Sequence, residues 1–144
     1  MAKRVILGLG ASTLLFVFVV ANFTDRPSPY DKVYLPPEAV VTTDGNTLTV
    51  ENNAEDGVVV LGFYAYLERE VRGKWYCVKE KEASLGMQAG GGVVSWDGAG
   101  RTFELNFLPL EPGTYRVVIP DSVWSVAGML NPMGYTIGVE FMVK

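Results

Sequence analysis

Between Tyr135 and Val143 apolar side chains fall on every second position. Tyr135, Ile137, Val139, Phe141 and Val143 share one face, and Thr136, Gly138, Glu140 and Met142 the other. A period of two belongs to a strand with one face buried, because successive side chains of an extended chain point to opposite sides. The same period, bounded by Gly, Pro, Asn or Asp, recurs through residues 38–144. No window there sustains the apolar spacing of three and four that an amphipathic helix needs. These residues read as all-β. Residues 39–43 and 47–52 flank Asp44-Gly45-Asn46, which predicts a hairpin. Residues 58–71 form a long β-rich run with a bend or bulge expected near Gly62. Arg72-Gly73 then turns it into residues 74–79, with Leu67 and Trp75 expected to face the interior. Beyond a Gly-rich connection at 86–92, strands are predicted over 93–96, 102–108, 114–120 and 135–143.

Strands of this length, joined by turns and lacking helical crossovers, favour an antiparallel β-sandwich over a parallel α/β sheet. Phe103, Leu105 and Phe107, then Tyr115, Val117 and Ile119, with the apolar face of residues 135–143, supply its expected core. Each such side chain contributes about 1.5 to 3 kcal/mol when buried.

A different kind of sequence precedes this domain. Lys3 and Arg4 stand before an uncharged run over residues 5–23. As a helix that run would be about 28 Å long, close to the apolar thickness of a bilayer. The positive charges ahead of it place the N-terminus in the cytoplasm and everything after it outside. Val19 and Ala21 are small enough to flank a signal-peptidase site, yet the run exceeds the roughly 7 to 15 residues of an ordinary signal core. A cleaved signal peptide and a membrane anchor both stay open. Residues 24–37, punctuated by Pro27, Pro29, Pro36 and Pro37, read as an extended Pro-rich spacer. The expected organisation is a signal peptide or transmembrane anchor over 1–23, a spacer over 24–37 and the β-domain over 38–144.

Composition removes several kinds of chemistry. The 144 residues include no histidine and a single cysteine, which excludes Ser-His and Cys-His catalytic pairs and the usual zinc, haem and disulfide frameworks. The lone Cys77, within Trp75-Tyr76-Cys77-Val78, reads as a buried thiol on a strand. Beyond residue 21 there are 10 basic and 16 acidic side chains, a balance of −6, so no nucleic-acid partner is expected. Glu68, Glu70, Glu80, Glu82, Glu104 and Glu140 mostly alternate with apolar residues, as on a solvated sheet face. Asp44, Asp56 and Asp97 each adjoin a glycine but lack the D-x-D-x-D spacing of a calcium loop. No catalytic residue, metal ligand or cofactor is assigned.

Trp124, in Val123-Trp124-Ser125-Val126 between Pro120 and Pro132, belongs to a segment too apolar for an exposed turn. Either it caps one end of the domain, or Trp124 with Met129, Leu130 and Met133 forms a surface for a protein partner.

At Leu110-Glu111-Pro112-Gly113-Thr114-Tyr115-Arg116-Val117 the chain reaches a run that looks like a tyrosine corner, in which the hydroxyl bonds backward to the backbone, here near Leu110. It is preceded by Tyr66-Leu67-Glu68-Arg69 and Gly73-Lys74-Trp75-Tyr76. It is followed by Gly134-Tyr135-Thr136-Ile137-Gly138-Val139-Glu140-Phe141. With them, residues 48–144 resemble bacterial immunoglobulin-like domains of exported proteins. The resemblance implies structural roles for Tyr115, Trp75 and Leu67, an extracytoplasmic adhesive or accessory module, and no catalytic residues to transfer. The expected function is thus a non-catalytic extracytoplasmic binding or structural module with a protein partner, tethered to the membrane through residues 5–23 if these are retained. One alternative is a protease inhibitor acting through end loops at 83–92 and 121–132. Another is an accessory subunit of a membrane complex, its helix packed through Gly8, Gly10, Ala11 and Ser12.

Overall fold

A computed structural model of the chain describes residues 26–35, 39–53, 58–86, 93–95, 100–126, 129–130 and 134–144. For Glu80, Val93, Ser95, residues 124–126, Met129 and Leu130 only the backbone is described. The apolar run at 5–23, and with it the expected helix, lies outside these residues. Among the described residues the strands are β1 (Ala39–Thr43), β2 (Thr47–Asn52), β3 (Val58–Val60), β4 (Tyr64–Val71), β5 (Lys74–Ser84), β6 (Val93–Ser95), β7 (Arg101–Glu104), β8 (Gly113–Val126), β9 (Met129–Leu130) and β10 (Tyr135–Val143). Every pairing between them is antiparallel. One sheet has the order β1-β2-β7, and the other runs β5-β4-β8-β3-β6 with β9 and β10 also paired to β8.

Local chemistry explains the turns. The Asp44 carboxylate accepts hydrogen bonds at 2.8 Å from the backbone of both Asn46 and Thr47, and these hold its carboxyl below the usual aspartate range. Gly45, at φ 88, takes the left-handed conformation that the β1–β2 turn requires. The two-residue turn Arg72-Gly73 likewise has φ 52 and 74, the positive pair that matches the twist of a hairpin.

The long run at 58–71 does bend at Gly62. The stretch from Val60 to Tyr66 is one residue longer than the part of β8 it faces, Val118 to Val123, so the register slips by one there. A Cβ on Gly62 would lie 1.8 Å from the Pro120 carbonyl oxygen, which only glycine permits. Asp121, at φ 55, marks the matching irregularity in β8, and the buried Ser122 hydroxyl accepts from Gly62 N at 3.1 Å.

The expected strand at 102–108 stops at Glu104. Leu105 and Asn106 instead donate to Asn46 O, and Phe107 to Gly45 O, docking this segment on the β1–β2 turn. Leu105 and Phe107 are nonetheless buried. A single apolar cluster joins Ala39, Val41, Leu48, Val50 and Phe103 of the first sheet to Ala65, Leu67, Tyr115, Val117, Ile119 and Ile137 of the second.

Candidate functional site

Leu67 on β4 and Val117 on β8 point into that cluster, so their neighbours Glu68 and Arg116 stand on the opposite, outer face of the sheet. The register sets Glu68 between Arg116 and Cys77, and Arg116 between Glu68 and Glu140. A charged residue on an outer face is normally solvated, but Glu68 is 0% exposed and Arg116 5%. Arg116 Nε donates to Glu68 Oε2, and its guanidinium lies 4.5 Å from the centroid of the Trp75 ring.

What covers them is the Pro-rich segment. The described part of the expected spacer, residues 26–35, does not stand off the domain but crosses its outer face as a strap. Pro27 bridges Tyr76 at the β5 edge, where Cys77 N donates to Arg26 O and Ser28 N to Trp75 O at 2.8 Å. Arg116 Nη2 then donates to Ser28 Oγ at 3.2 Å and to Tyr30 O at 3.0 Å. Farther on, the strap reaches β10, where Tyr34 bridges Ile137 in parallel and its N–H donates to Thr136 O at 2.7 Å. Gly138 makes this approach possible, since a Cβ there would lie 2.6 Å from Val33 Cβ. The strap docks because it carries apolar and hydrogen-bonding groups of its own, and because the sheet offers it two open edges.

Burial beneath the strap changes the titrating groups. Desolvation, reinforced by the Tyr66, Cys77 and Glu68 charges, pushes the Tyr30 phenol up. Desolvation and then Glu68 push up the Cys77 thiol, whose sulfur lies 3.9 Å from Glu68 Oε1. Between strap and hairpin an open cleft of about 270 Å³ is lined by Pro27, Ser28, Tyr30, Lys74, Trp75 and Arg116. Arg116 already serves Glu68 and two strap oxygens there. Among the described residues no group of three His, Cys, Asp or Glu side chains is placed to hold a metal ion.

The residues singled out in the sequence fall in different places. Tyr115 is buried, and its hydroxyl donates to Glu111 O at 2.8 Å, the tyrosine corner with its acceptor one residue beyond Leu110. Burial raises the Tyr115 phenol, opposed by the Arg69 guanidinium stacked 5.4 Å from its ring. Leu67 faces the interior as expected. Trp75 does not: the two-residue turn pairs it with Glu70, on the same face as Glu68, so it is half-buried on the outside beneath Arg116. Trp124 lies on β8 opposite Val59, and Met129 and Leu130 form β9, which returns along Val126 and Ser125. The backbone there prolongs the sheet. The side chains of Trp124, Met129 and Leu130, and Met133 altogether, lie outside the described residues. Sequence reasoning missed Arg116 and Gly138, and it placed Glu68 on a solvated sheet face, whereas the strap and Arg116 leave it fully buried. Their signal was a charged or missing side chain at outward positions of strands that are otherwise closely apolar.

No protein-family model matches the chain, and no curated protein matches it. Among solved structures it is similar to a hypothetical protein from Pyrococcus horikoshii, with 11% identity and a TM-score of 0.29 over 83% of this chain and 95% of that one. A likeness at that score carries no weight for fold or function.

Proposed function

We propose that residues 38–144 form an immunoglobulin-like β-sandwich acting as a non-catalytic extracytoplasmic binding or structural module, held to the membrane by residues 5–23. The strand order carries this reading. In a constant-type immunoglobulin domain, strands A, B, E and D make one sheet and C, F and G the other. Here β1-β2-β7 stand in the order A-B-E, and β4-β8-β10 in the order C-F-G with β5 added outside β4. The corner tyrosine lies at the start of the F-like strand, where such domains place it. One departure is β6, which occupies the D place in the sequence but pairs with β3.

The length of the uncharged run favours the tether over a cleaved signal. Partner contact is assigned to the end of β8 and β9, with Trp124, Met129, Leu130 and Met133. Phe63, in the bend between β3 and β4, is 74% exposed while its carbonyl is held by Leu85 and Gly86. The test is a pair of reporter fusions after Lys144 in a bacterial host. Alkaline phosphatase should be active and a cytoplasm-only fluorescent reporter dark, and intact mass should retain residues 1–21. The reverse reporter pattern would reject export.

A further inference from the structure

The strap takes hold of β5 close to the end of the apolar run. That run ends at Phe23, and three residues later the Arg26 carbonyl already accepts from Cys77 N. Three extended residues reach at most about 11 Å, so the β5 edge stands within that distance of the point where the run ends. Charge gathers at the same place. Of the 10 basic side chains beyond residue 21, five (Arg26, Arg72, Lys74, Lys79 and Lys81) stand on β5, on its hairpin turn or on the strap beside it. The acidic residues interspersed with them are Asp25 and Asp31 on the N-terminal side and Glu70, Glu80 and Glu82 on the strands, so the edge is rich in charge of both signs and is distinguished by its long basic side chains beside aromatic rings. Arg26, Arg72, Lys74 and Lys79 are exposed, and Trp75 and Tyr76 half-buried. Lys and Arg beside Trp and Tyr is the combination that concentrates at the headgroup level of a bilayer, where long basic side chains reach phosphates and amphipathic rings sit at the boundary.

We propose that the β5 edge lies against the headgroup layer of the bilayer that holds residues 5–23, with Arg26, Lys74 and Lys79 turned toward lipid phosphates. This orientation rests on the tether reading given above. The opposite edge of the sheet, β10 with β1 beside it, then faces away, three strand spacings or about 14 Å farther from the membrane. The test uses the full chain carrying Cys77→Ser, reconstituted in phosphatidylcholine vesicles that contain a headgroup-nitroxide lipid. A fluorescent label is placed in turn at Lys74→Cys, Lys79→Cys and Val40→Cys, the last an exposed position on β1. Labels at 74 and 79 should lose fluorescence to the nitroxide while the label at 40 does not. Equal or greater loss at 40, in protein that floats with the vesicles, overturns the orientation alone. Protein that does not float with the vesicles overturns the tether reading, and the orientation with it.

Discussion

On the inner face of β8, Tyr115, Val117 and Ile119 are buried against apolar side chains from both sheets. On its outer face Arg116 and Val118 are buried too, and there residues 26–35, drawn from the N-terminal side of the domain, are bonded to Arg116. The inner face tolerates approximate chemistry, since apolar contact is non-directional and any side chain of the right volume serves. The outer face depends on particular partners. Glu68 has no water to solvate it, and Arg116 is bonded to Glu68 and to the strap oxygens together. One face of a sheet can therefore be a core and the other a latch within a single strand.

Breaking the latch should cost most. Arg116→Ala leaves the Glu68 carboxylate buried without its partner and should lower unfolding free energy by about 3 to 5 kcal/mol, read from the urea midpoint. Glu68→Leu with Arg116→Met should recover most of that loss. A single variant as stable as the parent would show that the outer face does not behave as a buried site. Gly138→Val drives a side chain into Val33 and should cost about 1 to 3 kcal/mol. Its distinguishing sign is faster hydrogen exchange at the Tyr34 amide while β8 amides stay protected. Uniform deprotection would mean that strap and core unfold as one.

Tyr115→Phe tests the inner face. It removes only the bond to Glu111 O and should cost about 0.5 to 1.5 kcal/mol in the same urea titration. Smaller again is Asp44→Ala, whose penalty should depend on pH. The folded carboxyl titrates below its ordinary value of 3.8, so its contribution is present above that pH and disappears as acid carries the solution through the lower, folded value. The stability gap between Asp44→Ala and the parent should therefore close below about pH 3.8. A gap that stays constant down to pH 2 would assign the effect to the turn backbone instead.

Much of the inner architecture was legible because it is local. The residues of β1, β2 and β10 are the ones that alternation and the Asp44-Gly45-Asn46 turn predict, and Gly62 does mark the bend. Tyr115 and Leu67 followed from the same pattern. Trp75 was misplaced by a matter of parity: Leu67 and Trp75 are both large and apolar, but a two-residue turn puts Trp75 across from Glu70. The strap could not be read, because its Pro-rich composition signals extended chain and says nothing about where such chain lies. The Glu68–Arg116 pair was hidden for a related reason. Residues 48 apart in sequence meet only through strand order, and a charge on an outward position looks solvated until something covers it.

Because the strap runs down the free side of β5 before crossing to β10, a pull exerted through the residues before Arg26 reaches its few bonds ahead of any core strand. These bonds are loaded one after another, as in unzipping, and should yield first. A force-extension trace should therefore open, before the main rupture, with a small step shorter than the extended length of ten residues, about 35 Å, because the strap already spans the sheet from β5 to β10. In mechanical terms the segment is a fuse that gives way while the body behind it stays folded.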